Sequence, residues 1–237
     1  MSPDLGALIV ILSIAFFSFF SLYKKLLSRD GILFANIFGI FVYFLGGLQA
    51  FVTLILFFSI AEFATSLGRK KFKPHESRDV GNIIGNGLPA LIALFLGSKI
   101  GFYGGISAAL SDTMSSEIGL LSEKKPRLIT NLKKEVPRGT DGGITMLGLF
   151  AGLSGAFLIG VTYLSFNLNQ FGLNLLFGLL VIFLSGFIGC IIDSLLGAVF
   201  EIKGKLNNTQ VNFLSSSSSA LLAHLLWYLF LLAGLVQ

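Results

Sequence analysis

The sequence has few charged residues. Only 12% of its 237 residues are Asp, Glu, Lys or Arg, whereas 54% are hydrophobic and the mean hydropathy is +0.85. A soluble globular domain carries about 25% charged residues, so this chain cannot cover a buried core with a charged surface. The composition excludes a water-soluble globular fold, and the abundance of apolar side chains excludes a disordered chain.

Thiol and imidazole side chains are also scarce. The one cysteine, Cys190, lies inside an apolar run, and the two histidines, His75 and His224, are far apart in sequence. A single cysteine cannot form an internal disulfide, and a zinc site is not expected from these residues. The sequence also lacks a GxSxG nucleophile elbow and a Walker A loop, and it lacks the alternating pattern of a transmembrane barrel.

Long apolar runs predict an all-α fold, a polytopic transmembrane helix bundle. A span needs about 20 apolar residues, and the runs lie at about 5–23, 31–46, 48–67, 81–98, 100–120, 143–163, 171–199 and 213–236. The second and third runs adjoin, and a single helix through both would be about 55 Å long. We therefore expect a break at Gly46-Gly47, about eight spans (seven to nine), and a single transmembrane domain over 1–237.

The basic residues are distributed unevenly. Of the 17 Lys and Arg residues, all but Lys99 follow the first, third, fifth or seventh run. Since basic loops stay in the cytoplasm, we expect cytoplasmic loops at about 68–80, 121–142 and 201–212. Both termini would then lie on the non-cytoplasmic side of the plasma membrane, or of a thylakoid or other organelle membrane.

The same placement of basic residues in loops explains the net charge of +5 without a nucleic-acid partner. No basic segment precedes the first run, so a retained helix is expected there, not a signal peptide.

Carboxylates inside apolar runs are costly and are candidate functional residues. The expected topology puts all of them at the cytoplasmic ends of their helices, beside the basic loops. Carboxylate oxygens hold Mg²⁺ and cations neutralise phosphate oxygens, so this pattern is typical of a metal–phosphate site. The residues are Glu62, Asp112, Glu117 and Asp193 within runs, and Asp79, Asp141 and Glu201 at run ends.

The strongest local pattern is SDTMSSEIG at 111–119, with two carboxylates and four hydroxyls. Asp112 and Ser116 share a helix face, whereas Asp112 and Glu117 are about 140° apart on a regular helix. Those two carboxylates would therefore not chelate one ion without local unwinding or a second ion. A polar contact that only packs helices is the alternative.

Two other segments are candidates for binding phosphate. VPRGTDGGIT at 136–145 joins a basic loop to an apolar run, where a helix N-terminus favours an anion; Thr140 or Asp141 as a plain N-cap is the alternative. RDVGNIIGNG at 78–87 puts Asn82 and Asn86 on one helix face, where their amides can bind a nucleotide or cap and join helices. Further candidates are Asn207, Asn208 and Asn212 for contacting a substrate, and the five serines at 215–219 for bonding backbone carbonyls or lining a cavity.

These three segments, in this order and separation, resemble the DUF92 integral membrane family, which includes plant and cyanobacterial phytyl-phosphate kinases and a mammalian transmembrane protein. The resemblance covers about 30–215. It implies transfer of the γ-phosphate of a nucleoside triphosphate, with CTP as donor, to a polyprenyl phosphate lipid of the phytyl or geranylgeranyl type, giving the diphosphate.

Together, the residues and the resemblance give a Mg²⁺-dependent polyprenyl-phosphate kinase with its active site at the cytoplasmic membrane interface. Its catalytic and metal-binding residues are Asp112, Glu117 and Asp193. Its nucleotide- and phosphate-binding residues are Arg78, Asp79, Asn82, Asn86, Lys133, Lys134, Arg138, Gly139, Thr140, Asp141, Gly142 and Gly143. Further candidates are Glu62, Ser116, Glu201 and Asn212.

Other functions remain open at this point. Intramembrane acids also suit an ion-coupled membrane transporter, although here they cluster at one face. Another CTP-dependent lipid enzyme, such as a cytidylyltransferase, would release a CDP-lipid; the DGxxAR…GxxxDxxxD pattern of CDP-alcohol phosphotransferases is absent. A scaffold protein is the remaining class, and the oligomeric state is open, with a homo-oligomer as one option.

Overall fold

The computed structural model describes residues 3–72, 78–168 and 172–236, so His75 and the middle of the expected loop at 68–80 lie outside the described residues. Each apolar run forms a helix within a few residues of its expected limits. The helices are α1 (Pro3–Lys24), α2 (Arg29–Phe72), α3 (Val80–Phe95), α4 (Lys99–Gly119), α5 (Met146–Phe166), α6 (Leu173–Leu196) and α7 (Asn208–Leu232). A π-helix, Gly197–Glu201, continues α6.

The predicted break at Gly46-Gly47 is confirmed. Gly47 has φ 74° and ψ −171° inside α2 and separates two helical halves. A positive φ is costly for residues with a Cβ atom and is readily adopted by glycine. Two adjacent glycines therefore end the first half of α2 where the length argument requires it.

Five helices in the described part of the chain are long and apolar enough to cross a membrane: α1, α2, α5, α6 with its π-helical extension, and α7. The helix α3 is apolar but has only 16 residues, and α4 carries the polar SDTMSSEIG segment. The expected bundle of apolar helices is therefore confirmed. The count of about eight spans and the side of the termini stay predictions.

The segment at 121–142, expected to be a loop, contributes to a small antiparallel sheet. Its strands β1 (Arg127–Leu128), β2 (Asn131–Glu135) and β3 (Gly143–Ile144) lie in the order β2-β1-β3. All five residues of β2 are exposed, so the strand has no apolar side to bury. Sequence reasoning missed it because a strand with no buried face has no alternating pattern.

The helix α4 lies at the centre and packs against α2, α3, α5, α6 and α7. Its buried stretch is rich in Gly, Ala and Ser, which lets neighbouring backbones approach closely. Ser107 donates to the carbonyl oxygen of Ile182 on α6 at 3.1 Å, and Ser111 donates to that of Gly152 on α5 at 2.8 Å. These contacts fix the polar C-terminal turns of α4 relative to α5 and α6.

Candidate active site

Two carboxylates from different helices form the centre of the site. The carboxyl groups of Asp112 of α4 and Asp193 of α6 are neighbours at one cavity. Ser215 of α7 donates to Oδ2 of Asp193 at 2.9 Å. Two neighbouring carboxyl groups repel each other unless they share a proton or a cation lies between them, and here three helices position one such carboxyl pair.

An acidic cavity of about 230 Å³ opens beside this pair. It is lined by α4, by the loop 139–143, by the last turns of α6 and by the start of α7. Five carboxylates face it, and none of its lining residues in the described chain is a lysine or an arginine. These carboxylates belong to Asp112, Glu117, Asp141, Asp193 and Glu201. An anion such as a triphosphate can enter a cavity of this charge only together with cations.

The loop 139–143 is held against α6 by glycines. Gly139 and Gly142 have φ of 78° and 69°, in the region that favours glycine. A Cβ on Gly142 would collide with the Cβ of Ala198 in the π-helix, and its distance to the carbonyl oxygen of Ser194 would be 2.6 Å. The backbone of the loop therefore packs directly on the backbone of α6 and its π-helical extension. This contact places Asp141 at the cavity.

The start of α5 differs from the expectation. The N-cap is Thr145, whose Oγ1 accepts from the Gly148 amide at 3.0 Å, so the alternative that Thr140 or Asp141 caps this helix is wrong. The Thr140 hydroxyl instead donates to the Pro137 carbonyl at 2.8 Å. The reason is that β3 comes between the glycine loop and α5, so the loop faces the cavity as a turn and not as a helix N-terminus.

A second cavity, of about 400 Å³, lies on the other side of the same α4 residues. We call it the amide cavity because asparagines from α3 and α7 line it. Asp112, Ser116 and Glu117, with Asn208 of α7, line both cavities. The other residues around the amide cavity are Arg78, Asp79, Asn82, Asn86, Thr113, Thr209 and Asn212.

The N-termini of α3 and α7 meet at the amide cavity. Each has a capping box: Asp79 and Asn82 exchange hydrogen bonds at the start of α3, and Asn207 and Gln210 do so at the start of α7. Gly81 brings the two termini together, since a Cβ there would lie 2.8 Å from Oγ1 of Thr209. The alternative that these amides cap a helix is thus correct for Asn82, with Asp79 as its partner, whereas Nδ2 of Asn86 donates to the Asn82 carbonyl within α3 at 3.0 Å. Two positive helix ends lie at one cavity.

Arg78 is fixed by its backbone and by its side chain. Its amide and carbonyl bond to Leu26 and Ser28 in the α1–α2 connection. Its Nη2 donates to the Thr65 hydroxyl at 3.0 Å, and its Nε lies 3.6 Å from a carboxylate oxygen of Glu62. Glu62, a candidate site residue, is therefore a partner of Arg78 and does not line either cavity.

Three predicted phosphate-binding cations do not line the cavities. Lys133 and Lys134 lie on β2, the sheet edge farther from β3, and are exposed. Arg138 donates Nη2 to the carbonyl oxygens of Ser122 and Glu123 at 2.5 and 3.4 Å. The Arg138 guanidinium therefore joins the sheet to the segment that follows α4. The strand β2 places Lys133 and Lys134 away from the glycine loop.

Sequence reasoning did not identify every residue at the site. Ser215 was considered only as part of a serine run, yet it holds Asp193. Ser194 lines the acidic cavity and follows Asp193 as one of two acid–hydroxyl pairs in the sequence, whereas Thr209 lines the amide cavity and stands in a segment without a distinctive pattern. The signal that could have identified Ser215 is the serine run itself. Five hydroxyls at one end of an apolar helix need polar partners, and a carboxylate on a neighbouring helix is such a partner.

The donor groups at the site suit Mg²⁺ better than a metal ion whose ligands are all protein side chains. No three acidic, histidine or cysteine side chains in the described residues form a complete metal site. Mg²⁺, however, is usually held by one or two carboxylates together with substrate phosphates and waters. The Asp112–Asp193 pair beside open cavities matches that donor set.

Comparisons with known proteins agree with the expected family. The sequence matches the family described as integral membrane protein DUF92 over residues 12–220. It is 37% identical over 218 residues to the uncharacterized membrane protein MJ0933 of Methanocaldococcus jannaschii, covering 86% of this chain and 87% of that protein.

Two Arabidopsis thaliana proteins are similar over shorter stretches. Protein PGR is 38% identical over 120 residues, 48% of this chain and 40% of PGR. The chloroplastic protein VTE6 is 28% identical over 155 residues, 56% of this chain and 45% of VTE6. No solved structure matches the chain. Because the family match covers most of the sequence, the chain belongs to the DUF92 family of integral membrane proteins.

Proposed function

We propose that the protein is a polyprenyl-phosphate kinase that transfers the γ-phosphate of a nucleoside triphosphate to a phytyl- or geranylgeranyl-type monophosphate. One observation carries the proposal: two polar cavities of different chemistry share the residues Asp112, Ser116 and Glu117. A transferase for two phosphorylated substrates needs such an arrangement, because donor and acceptor must approach one reaction centre from different sides.

The acidic cavity suits the nucleotide together with its cations. Asp112 and Asp193 would hold Mg²⁺, with Glu117 beside them, and the bound ion would neutralise charge on the phosphate oxygens. The turn at Gly139 and Gly142 exposes backbone that a triphosphate can approach closely. CTP as the donor follows from the family resemblance and is part of the proposal.

The reaction needs little covalent chemistry from the protein. A phosphate oxygen of the acceptor attacks the γ-phosphorus, the bond from that phosphorus to the β–γ bridging oxygen breaks, and the nucleoside diphosphate leaves. The acceptor is already an anion at neutral pH, so no strong general base is required. Positioning and charge neutralisation supply most of the rate in phosphoryl transfer.

The proposed orientation puts the site at the cytoplasmic face, where nucleotides are available. The support is the placement of 16 of the 17 Lys and Arg residues in four segments of the sequence, because cytoplasmic loops are enriched in these residues. About eight spans with both termini outside follow from the same distribution.

The test uses the purified protein in nanodiscs with geranylgeranyl or phytyl monophosphate. Each of the four common nucleoside triphosphates is added in turn, with Mg²⁺ or with EDTA, and products are identified by mass spectrometry. We expect a prenyl diphosphate and a nucleoside diphosphate only in the Mg²⁺ samples. A CDP-lipid with pyrophosphate would identify a cytidylyltransferase instead, and substrate uptake into liposomes without nucleotide consumption would identify a transporter.

A further inference from the structure

A third cavity, of about 120 Å³, lies between α1, α2 and α3 and is almost entirely apolar. Five phenylalanines line it: Phe17, Phe38, Phe51, Phe57 and Phe58. Phe17 and Phe58 pack edge to face with ring centroids 5.0 Å apart. At its rim, Ile55 is 37% exposed and Ser59 is exposed, so the cavity opens at the outer surface of the helix bundle.

This apolar cavity and the amide cavity share three polar residues. Arg78, Asn82 and Asn86 line both. The guanidinium carbon of Arg78 lies 5.8 Å from the centre of the Phe58 ring, so one side chain borders the apolar and the polar space. The two cavities therefore adjoin at these side chains, and together they give a candidate path from the outer surface of the bundle, past the phenylalanines, to Asp112.

At the polar end of this path, groups that favour an anion lie beside the carboxylates of Asp79, Asp112 and Glu117, so a phosphate would bind here together with a cation. The positive N-termini of α3 and α7 lie at the amide cavity, and among its described lining residues Arg78 is the one with a positive charge. Asn212 is only 7% exposed, and its Oδ1 has no hydrogen-bond partner among the described residues. Its Nδ2 donates to Oδ1 of Asn208 at 3.4 Å, so the unpartnered Oδ1 can accept a hydrogen bond from a protonated phosphate oxygen of a ligand.

We propose that this path is the acceptor subsite and that it binds a lipid with one isoprenoid chain and a terminal phosphate monoester. The phosphate lies in the amide cavity between Arg78 and Asp112. The first isoprene units lie among the phenylalanines, and the rest of the chain passes the rim at Ile55 and Ser59 into the bilayer. This inference rests on the proposed function and assigns Arg78, Asn82 and Asn86 to the acceptor instead of the nucleotide.

The small volume of the apolar cavity, about 120 Å³, favours one chain over two. Gly87 of α3 faces Phe38 of α2 so closely that a Cβ on the glycine would lie 2.8 Å from the ring. A diacyl lipid would have to place two chains in this space. A single isoprenoid chain needs only one passage, and its methyl branches pack well against aromatic rings.

Photocrosslinking tests the location without requiring catalysis. The probe is a geranylgeranyl monophosphate with a diazirine on its second isoprene unit, bound to the full chain in nanodiscs without nucleotide. Labels on Phe17, Phe38, Phe51 or Phe58, prevented by excess geranylgeranyl phosphate but not by geranylgeraniol or dioleoyl phosphatidate, support the subsite. Labels confined to the outer face formed by Ala7, Ile11 and Phe44 overturn it, and competition by phosphatidate overturns the preference for one chain.

A pair of substitutions tests the same cavity by kinetics. Ala35 lines the apolar cavity and Ala15 lies outside it on the exposed face of α1. We expect Ala35→Phe to raise the KM for the prenyl phosphate at least about 10-fold and to leave the KM for the nucleotide within about 2-fold, whereas Ala15→Phe changes neither. Equal changes in both KM values, or an unchanged lipid KM in a folded Ala35→Phe protein, overturn the assignment.

A second variant covers the event that Ala35→Phe does not fold. Ser59→Phe narrows the exposed rim, where a larger side chain has space, and should reduce crosslinking at least about 5-fold. Failure of the proposed function remains distinguishable: specific crosslinking in the cavity without prenyl diphosphate formation would keep the lipid-phosphate site and reject the kinase.

Discussion

Replacing Asp112 with asparagine separates the role of its charge from its role in packing. Asn has nearly the same size and can hydrogen-bond to Asp193, so the contact between α4 and α6 is kept. The substitution replaces one of five carboxyl groups around the cavity with a neutral amide. Fewer acidic groups then repel one another in one buried cluster, so we expect the thermal midpoint of Asp112→Asn to be equal to or higher than that of the parent protein.

Catalytic activity should change in the opposite direction from stability and fall. Two unit charges about 4 Å apart interact by about 4 kcal/mol at an effective dielectric constant of about 20. Since about 1.4 kcal/mol corresponds to a tenfold change in rate, the loss of one carboxylate charge beside the metal and the transferred phosphate should lower kcat/KM by about 10³-fold. A residue that only packs helices would lower stability and activity together.

The assay measures prenyl diphosphate formation at saturating Mg²⁺, alongside thermal unfolding. Asp30→Asn is the matched control, because Asp30 is an exposed acid at the start of α2 outside the cavities; its rate should equal that of the parent. An Asp112→Asn protein that is folded and retains more than about a tenth of the parent activity would refute the metal-binding role.

Three further predictions follow from contacts around the site. Ser215→Ala removes the donor to Oδ2 of the paired carboxylate at 2.9 Å and should lower activity about 10-fold, since partners that orient metal ligands contribute about 10–100-fold. Gly142→Ala should lower both activity and stability, because the added methyl group meets the π-helix at a positive φ. Lys133→Ala with Lys134→Ala should change kcat/KM less than about 3-fold at physiological ionic strength, because both side chains are exposed on the sheet edge.

Each of these predictions has its own control. Ser215→Thr keeps the hydroxyl and should restore most of the activity; equal defects in the Ala and Thr variants would argue against the hydrogen bond. Gly97→Ala is matched to Gly142→Ala, because Gly97 has φ 79° but open space around it. It should lose about 1–2 kcal/mol of stability without losing activity. A large rise in the nucleotide KM after removal of the two lysines would show that these lysines contact the nucleotide phosphates.

The fold was largely predictable because its dominant signal is local. Long apolar runs form helices in any membrane protein, and the pair Gly46-Gly47 marks a break that the length of the run requires. The sheet at Arg127–Ile144 was not predictable in the same way. Backbone pairing holds its strands together, and Arg138 joins the sheet to the segment after α4. Exposed strands show no hydrophobic periodicity in the sequence.

The candidate site was predictable in composition but not in arrangement. Carboxylates at Asp112 and Asp193 could be identified because charge is costly inside an apolar helix. Which carboxylates meet depends on how α4, α6 and α7 rotate about their axes, and that rotation is set by contacts between small residues such as Ser107 with Gly186. The position of Lys133 and Lys134 depends on the sheet register, so their proximity in sequence to the glycine loop was misleading.

The most direct measurement follows the γ-phosphate itself. The purified protein is given geranylgeranyl monophosphate, Mg²⁺ and, in turn, each of the four nucleoside triphosphates labelled with ¹⁸O at the non-bridging oxygens of the γ-phosphate, and both products are analysed by mass spectrometry. With CTP we expect labelled geranylgeranyl diphosphate together with unlabelled CDP, and neither product with Asp112→Asn. Label recovered only in pyrophosphate or inorganic phosphate, with no labelled prenyl diphosphate for any of the four nucleotides, would contradict it.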